Sequence, residues 1–491
     1  MKQKAIIMKK GETSMKNITN HMTYISFCIL IITNSVLNLA AQTEKNKPLE
    51  GIWVGSLRIP NAAELRMGIT ISNNVDGTLS AALRIIDQNT GDIPCDVVKY
   101  EKDNILFKIN HLGIEIEGTT DPENDTIESE FHQRGGKFLL HLKRVDKMPV
   151  LNRPQEPKRP FPYNEEEVGY ENKKVGIKLA ATLTYPKSDS PLPAVILITG
   201  SGQQDRNEEG FGHKPFLVLA DYLTRQGIAV LRADDRGIGG STGNFDQSTS
   251  GDFTDDAIAG VEYLKSRKEI NPKQIGLIGH SEGGMIAQIA AYRSSDVAFI
   301  VMMTGPGIGF DEMVIFQVLE QLRLEGTSEE DIALQRLWRR SLYSLFKQNL
   351  DSTAIANKMR ELHTGLSEED QKRLNWPKGR LEFEIKRSLS PWWHFALAHD
   401  PSATLMRVKC PVLAINGDKD KQNPSKRNLP AIEMALKSGG NKNFLVKELP
   451  GLNHLFQTAE TGSEYEYGRI EETISPDALN LIASWILDQV K

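Results

Sequence analysis

The stretch Gly279-His280-Ser281-Glu282-Gly283 places a serine between two glycines, each two positions away. It follows an apolar run at 275–278 and precedes a run at 284–291 that is typical of a helix. In a strand–turn–helix of this kind the serine lies on a sharp turn, so its hydroxyl stands clear of the sheet and can act as a nucleophile. A glycine-rich turn whose serine only caps the following helix is the alternative. The setting favours the nucleophile.

A serine hydroxyl needs a base to remove its proton and an acid to orient that base. The run 410–415 predicts a buried strand, which Asp418 and Asp420 follow, and the run 443–449 predicts another strand, which His454 follows. The carboxyl ends of parallel strands meet at one edge of a sheet, so these side chains are expected near Ser281. We favour Asp420 over Asp418 because the spacing Gly417-x-x-Asp420 lets the chain turn before it presents the carboxylate.

The other histidines fit the role of base less well. His280 flanks Ser281 and is expected to pack or to line the cleft. His394 and His399 lie in a helical region, from which they could contact a substrate. Only His454 follows both the serine and the acid in the chain order that this chemistry uses.

The oxyanion of an acyl-transfer intermediate needs two preorganised N–H groups. One is expected to be the amide of Glu282. The second is expected from the glycine-rich loop after the apolar run 194–198, where we favour the amide of Ser201, with Gly202 as the alternative. A simple strand-to-helix turn is the other interpretation of this loop. A phosphate cradle is disfavoured, because no Walker-type lysine follows.

Five segments together resemble the α/β-hydrolase superfamily, and more narrowly the two-domain bacterial carboxylesterases related to the serine-aminopeptidase-like group. These segments are 200–206, 234–241, 279–284, 417–420 and 449–454. The resemblance covers about residues 166–491. It implies a mostly parallel sheet flanked by helices, a triad of Ser281, Asp420 and His454, and a helical lid over the carboxyl edge of the sheet. It also implies a structural role for 235–241, beside the site.

A long helical insertion is predicted inside the hydrolase domain. After the strand-like run 299–303, strand–helix alternation stops for about a hundred residues, and 311–324, 328–347 and 353–363 read as amphipathic helices. We expect a lid at about 308–400. Its end carries Trp392, Trp393 and His394, which are expected either to bind substrate or to pack in a core.

The N-terminal part has a different pattern. Short alternating segments within 48–147, with a hairpin signal at Asp76-Gly77, predict an antiparallel β sandwich or barrel. We expect this domain to pack against the hydrolase or to mediate a homodimer, with a ligand-binding barrel as the alternative. The segment 148–165, with five prolines between 149 and 162, is expected to be an extended linker.

Residues 1–41 are expected to be a secretory signal peptide. Five lysines precede an apolar run at 25–39, which ends in Ala40-Ala41. A lipid anchor at Cys28 or an uncleaved membrane anchor is a minor alternative. The mature protein is therefore expected in the periplasm or outside the cell, with no stable membrane insertion after signal removal.

Composition points away from several classes of function. The formal net charge is −5, and without residues 1–41 there remain 54 basic and 63 acidic residues, which gives no electrostatic reason to bind nucleic acid. Cys95 and Cys410 fall in different predicted domains and are expected to be buried thiols. No cluster has metal-ligand spacing, and the proposed chemistry needs no cofactor.

The expected activity is hydrolysis of carboxylic esters with short to medium acyl chains, through an acyl-enzyme. A serine peptidase acting on short peptides is an alternative, for which Glu382 and Glu384 could bind a substrate N-terminus. A thioesterase is a further alternative, and a non-catalytic binding protein is the least favoured.

Overall fold

A computed structural model describes residues 49–58, 64–121, 123, 125–133, 135–324, 326–348 and 350–491. The expected signal peptide at 1–41 lies outside these residues. Among the described helices, none combines the length and apolar character that a membrane span requires.

An antiparallel sheet of nine strands forms the N-terminal domain, in the order β4-β3-β2-β1-β9-β8-β7-β6-β5. The strands are β1 Gly51–Arg58, β2 Glu64–Asn73, β3 Leu79–Ile85, β4 Ile93–Pro94, β5 Val97–Glu101, β6 Asn104–Ile109, β7 Ile114–Asp121, β8 Thr126–Gln133 and β9 Gly136–Val145. The two end strands, β4 and β5, are separated by only two residues, so the sheet curls until its edges meet. Alternate side chains, among them Trp53, Ile69 and Phe107, fill its interior.

Eight further strands form the hydrolase sheet, in the order β10-β11-β13-β12-β14-β15-β16-β17. They are β10 Asn164–Asn172, β11 Ile177–Tyr185, β12 Leu192–Ile198, β13 Ala229–Ala233, β14 Ile270–His280, β15 Phe299–Met303, β16 Val412–Gly417 and β17 Phe444–Leu449. β10 and β11 are antiparallel, and every pairing from β13 to β17 is parallel. The carboxyl ends of β12, β14, β16 and β17 therefore share one edge of the sheet.

Helices cover both faces of this sheet. They are α1 Pro215–Arg225, α2 Ser250–Lys265, α3 Glu282–Arg293, α11 Ser425–Ser438 and α13 Pro476–Gln489, with α4 to α10 inserted between β15 and β16. The short helix α12 Glu464–Tyr467 contacts β2 of the N-terminal domain instead. One apolar core contains side chains of α2, α3 and α11, and the core on the opposite face contains side chains of α1 and α13. The sheet is thus the middle layer of three.

The insertion consists of seven helices, of which α4 to α9 share a core of their own. They are α4 Phe310–Leu324, α5 Glu329–Ser344, α6 Ser352–Thr364, α7 Glu368–Leu374, α8 Lys378–Ser388, α9 Pro391–Ala398 and α10 Pro401–Leu405. Trp338, Tyr343, Met359 and Trp376 are buried in that core. The insertion can therefore hold its own shape beside the sheet.

Cys95 and Cys410 are both free and half-buried, so burial is less complete than the sequence predicts. Desolvation raises the pKa of the Cys95 thiol to about 11 and that of Cys410 to about 12. Neither thiol is therefore activated as a nucleophile at neutral pH.

Candidate active site

Ser281 occupies the turn between β14 and α3. Its φ of 53° and ψ of −115° are unusual for a residue with a side chain. A side chain at Gly279 would overlap the carbonyl of Gly283, and one at Gly283 would overlap the carbonyl of Ile198. The two glycines of the sequence pattern are thus required by close backbone approach, and they allow the sharp turn that presents Ser281.

His454 and Asp420 come together at the same edge of the sheet. The Nδ1 of His454 lies 2.9 Å from Oδ2 of Asp420, and both side chains are buried. Oδ1 of Asp420 accepts hydrogen bonds from the amides of Gln422 and Asn423, each at 2.8 Å. Burial raises the pKa of Asp420, but His454 and these hydrogen bonds outweigh it, so the net shift is downward. Asp420 is held as a carboxylate against the ring.

Asp418 has a different environment. It is exposed, and its Oδ1 accepts a hydrogen bond from the amide of Gly451 at 2.7 Å. It therefore ties the loop after β16 to the loop after β17 and does not contact His454.

Two polar residues that sequence reasoning missed support this pair. The hydroxyl of Thr304 donates to Oδ2 of Asp420, and it follows β15 directly. The buried Asn453 accepts hydrogen bonds from the amides of Leu455 and Gln457, which fixes the loop that carries His454. A polar residue just after the neighbouring strand is a usable signal for Thr304, whereas Asn453 lies in a loop with no such signal.

The two alternative oxyanion donors of the loop after β12, Ser201 and Gly202, line different cavities. Ser201 lines the pocket that contains Ser281 and Glu282, whereas Gly202 lines a second cavity beside Asp235 and Ile286. Within the described residues, the amides of Ser201 and Gly202 donate no hydrogen bond. Of the two predicted donors, Ser201 is the one that lines the pocket together with Ser281.

The pocket at Ser281 is mostly apolar. Its walls are formed by Met285, Pro306, Ile308, Phe310, Met313, Trp392, Ala396, His399 and Pro401, together with Ser201, Ser281, Glu282 and Asn423. Helices of the insertion supply Phe310, Met313, Trp392 and Ala396. The insertion therefore forms one side of the pocket.

Of the three predicted substrate-binding residues, Trp392, Trp393 and His394, only the first lies at the pocket. Trp392 lines the pocket, as does His399. Trp393 and His394 are not among the lining residues. Trp393 packs edge-on against Phe310 under a guanidinium group, and His394 packs edge-on against Phe346. For these two residues the structure corresponds to core packing, the alternative that the sequence left open.

Glu282 joins the insertion to the turn that carries Ser281. Its Oε1 accepts hydrogen bonds from the hydroxyl of Ser250 at 2.6 Å and from the indole N–H of Trp392 at 2.7 Å. Burial raises the pKa of the Glu282 carboxyl, and the two hydrogen bonds offset only part of that rise. A buried carboxyl thus links α2, α3 and α9 beside Ser281.

Comparison with known proteins finds one family model and several similar chains. A family model described as serine aminopeptidase, S33, matches residues 214–458. Esterase EstD of Thermotoga maritima is 26% identical over 327 residues, which are 65% of this chain and 68% of that protein. Among solved structures, Est1E from Butyrivibrio proteoclasticus with ferulic acid bound is 19% identical, with a TM-score of 0.38 over 66% of this chain and 99% of that one. The Pyrococcus furiosus esterase Pf2001 is 15% identical, with a TM-score of 0.40 over 70% of this chain and 100% of that one.

The family match contains Ser281, Asp420 and His454 and spans five of the eight strands of the sheet. The order of those strands, with the serine after β14 and the histidine after the last strand, is that of the α/β-hydrolase fold. This chain is an α/β hydrolase related to the serine aminopeptidase family.

Proposed function

We propose that this protein hydrolyses carboxylic esters through an acyl-enzyme formed on Ser281. The observation that carries the proposal is the position of Ser281, on a strained turn that lines an apolar pocket, at the sheet edge where His454 and Asp420 pair. The Thermotoga maritima relative is an esterase, which supports the same class.

In this mechanism His454 removes the proton of Ser281 as the serine attacks the ester carbonyl. Asp420 accepts the hydrogen bond from Nδ1 of His454, which leaves Nε2 free to take the proton and stabilises the imidazolium that results. The protonated ring then gives its proton to the leaving alcohol. Water attacks the acyl-enzyme by the reverse proton movements.

The amides of Ser201 and Glu282 stabilise the negative charge on the carbonyl oxygen. Both residues line the pocket with Ser281. Backbone donors fixed before the reaction need no reorganisation when the charge develops, which makes them effective.

The insertion α4–α10 acts as a lid, and the pocket beneath it accepts the acyl group. Its methionine, proline and aromatic walls support an apolar acyl chain, for which we propose a short to medium length.

A peptidase is the second candidate, because the matching family model is named for an aminopeptidase. The two acids that the sequence offers for a substrate N-terminus are occupied elsewhere. Glu382 pairs with Arg360 at 2.8 Å, and Glu384 accepts hydrogen bonds from Tyr343 and Ser388. The ester therefore remains the first choice.

The test combines Ser281→Ala with covalent labelling. Ser281→Ala should lower turnover of p-nitrophenyl esters by about a thousandfold or more, and a fluorophosphonate should label wild-type protein at Ser281 only. The exposed Ser266→Ala is the control and should keep both properties. Esters of graded chain length, a thioester and aminoacyl p-nitroanilides separate the substrate classes. Wild-type turnover by folded Ser281→Ala would refute the mechanism.

We also propose that the protein is exported and that residues up to about 41 are removed. The basic, apolar and small-residue order of this segment supports it. N-terminal sequencing of the exported protein should begin near Gln42, and an intact Met1 would contradict cleavage.

A further inference from the structure

His280, the residue before Ser281, has both ring nitrogens in hydrogen bonds. Its Nδ1 lies 2.9 Å from Oε1 of Glu208, and its Nε2 lies 3.0 Å from the backbone oxygen of His454. The ring is buried. His280 thus touches the catalytic base's own backbone while it belongs to the turn that carries the nucleophile.

Glu208 brings a third segment to this contact. It lies in the loop after β12, and its Oε1 also accepts a hydrogen bond from the amide of Gly200 at 2.6 Å. Its backbone is left-handed, with φ of 52°, and its side chain is buried. A residue of this type adopts that conformation at a cost, which its contacts must offset. Gly200 directly precedes Ser201, which lines the pocket.

The partners of His280 determine where its protons are. The carbonyl of His454 can only accept, so Nε2 must carry a hydrogen. Oε1 of Glu208 accepts from the Gly200 amide, and a carboxylate in that role also accepts from Nδ1. Both ring nitrogens then donate, which makes His280 an imidazolium paired with the Glu208 carboxylate.

We propose that Glu208 and His280 form a buried ion pair that positions the three catalytic segments relative to one another. Through it the oxyanion loop is tied at Gly200, the nucleophile turn at His280 and the base loop at the carbonyl of His454. The proposal rests on the proposed function, since it assigns positioning roles in that reaction. Glu208 precedes the residues that the family model matches, which begin at 214.

The electrostatic surroundings favour the charged ring. Burial lowers the pKa of His280, but the Glu208 carboxylate, the His454 carbonyl and the more distant Asp420 together raise it by more, so the net shift is upward. A histidine with a raised pKa contributes stability fully below its ordinary pKa of about 6.5 and loses it as pH rises through the higher value of the folded protein. Glu208, His454 and Asp420 are the titratable groups that face the ring.

A charge at this position also affects the base. The ring centroids of His280 and His454 are 5.0 Å apart. Loss of the cation alone would leave an unpaired carboxylate near His454, which favours its protonated, inactive form.

The test measures esterase kinetics and pH profiles of His280→Gln, Glu208→Gln and the double variant in the full chain. Each single variant should lower kcat by about tenfold to a hundredfold, with KM changed by less than about threefold, because misplaced catalytic groups affect the chemical step. The double variant should lose no more than the worse single one, since both act through one contact. His280→Gln should move the acid limb of kcat/KM to higher pH, whereas Glu208→Gln should not.

The control is His363→Gln. His363 is also buried and its Nε2 also bonds a backbone carbonyl, that of Trp376, at 2.7 Å. It lies in α6, so its loss should affect stability and leave the pH profile unchanged. Folded His280→Gln with wild-type kcat and an unmoved acid limb would overturn the proposal, as would losses that multiply in the double variant. If His280→Gln does not fold, the nearly isosteric Glu208→Gln decides by its kcat and KM.

A spectroscopic measurement separates this proposal from the proposed function. In wild-type protein with ¹⁵N-labelled histidine, one buried ring should report two protonated nitrogens at neutral pH, and that signal should disappear in Glu208→Gln. A ring with one bare nitrogen would overturn the ion pair even in an active esterase. Conversely, wild-type protein inactive on every ester and unlabelled by fluorophosphonate would remove the proposed function, while the protonation result would still stand.

Discussion

Asp420 and Asp418 lie two residues apart and differ in burial and in contacts. Asp420 is buried and accepts hydrogen bonds on both carboxylate oxygens, one of them from His454. Asp418 is exposed and bonds only the amide of Gly451 among the described residues. The two aspartates therefore offer a matched pair of substitutions in one loop.

Asp420→Asn should lower kcat on a small ester by about ten-thousandfold, because an amide donor facing His454 favours the wrong tautomer of the ring. Asp418→Asn should change kcat only a few-fold, since a neutral side chain there can still accept from the Gly451 amide. Both values come from steady-state kinetics at saturating substrate. The reverse ranking would assign the orienting acid to Asp418.

For single residues, the sequence predicts where a side chain lies in the fold better than it predicts which side chains that residue contacts. Ser281, Asp420 and His454 could be singled out because each follows a recognisable strand, and parallel strands share an edge. Asn453 and Glu208 sit in irregular loops, so their partners depend on how distant loops pack, which no local pattern encodes. Likewise, Trp392 and Trp393 are adjacent in the sequence, yet only the direction of α9 decides which one faces the pocket.

Among the elements, the insertion contacts the nucleophile turn through one hydrogen bond from Trp392 to Glu282. Trp392→Phe keeps most of the ring and removes the donor, so a buried carboxyl loses one of its two partners. The cost should be on the order of 1–3 kcal/mol. We expect faster proteolysis within 310–405 and a KM for apolar esters raised several-fold.

Trp393→Phe is the matched control for this prediction. The indole N–H of Trp393 donates no hydrogen bond to any described residue, and its ring packs in the same aromatic group. Equal proteolysis of the two variants would mean that ring packing, rather than the bond to Glu282, holds the insertion in place.

The loop after β12 is held by Asp235. One of its carboxylate oxygens accepts from the hydroxyl of Thr199 at 2.8 Å and the other from the amide of Gln204 at 3.0 Å. Burial, together with the nearby acids Glu282 and Glu208, outweighs these two hydrogen bonds and raises the pKa of Asp235 from 3.8 to about 7. Between pH 3.8 and about 7, Asp235 therefore keeps its proton in the folded protein, whereas the same side chain in the unfolded chain has released it.

Because the folded pKa is raised, the contribution of Asp235 to stability is greatest below pH 3.8 and is lost as pH rises to about 7. Asp235→Asn removes this titration. The free energy of unfolding of the wild type minus that of the variant should fall between pH 4 and 8, as measured by urea unfolding at each pH. A difference that stays constant over this range would show that Asp235 does not titrate there.

The longer elements follow from sequence patterns, and the shorter ones do not. The hydrolase strands are apolar runs, and α4 to α6 carry clear amphipathic repeats. α2 begins at Ser250, because Thr249 and Asp252 form a capping box. α7, α9 and α10 have only five to eight residues each, too few for a hydrophobic period to stand out in the sequence.

In the whole molecule, the segment after the base loop links the two sheets. The amide of Ser475 donates to the carbonyl of Phe456 at 2.8 Å, two residues after His454. Gly468, in the same segment, lies so close to the N-terminal domain that a side chain at this position would overlap the backbone oxygen of Asp87. The N-terminal domain therefore contacts the segment that supports the base loop.

Arg153, in the proline-rich segment, is the centre of this junction. Its guanidinium donates to the carbonyls of Phe211, Gly212, Gly468 and Ile470 at 2.7–3.1 Å. A linker was predicted here from its prolines, which give no indication that one of its arginines binds two hydrolase loops. Removal of the Arg153 guanidinium would therefore take a hydrogen-bond donor from all four carbonyls at once.

Arg153→Ala should therefore lower the free energy of unfolding by about 2–3 kcal/mol, because hydrogen bonds to a charged group in a half-buried site are among the stronger ones.

Arg159→Ala is the control from the same segment. Arg159 is exposed and forms a surface ion pair with Glu165, so its loss should cost less than about 1 kcal/mol. Urea unfolding gives both values, and kcat/KM at low temperature should stay within a few-fold of the wild type because no contact of Arg153 reaches the pocket. Equal destabilisation by the two substitutions would mean that the segment is only a tether and that the carbonyls of the two loops are satisfied by solvent.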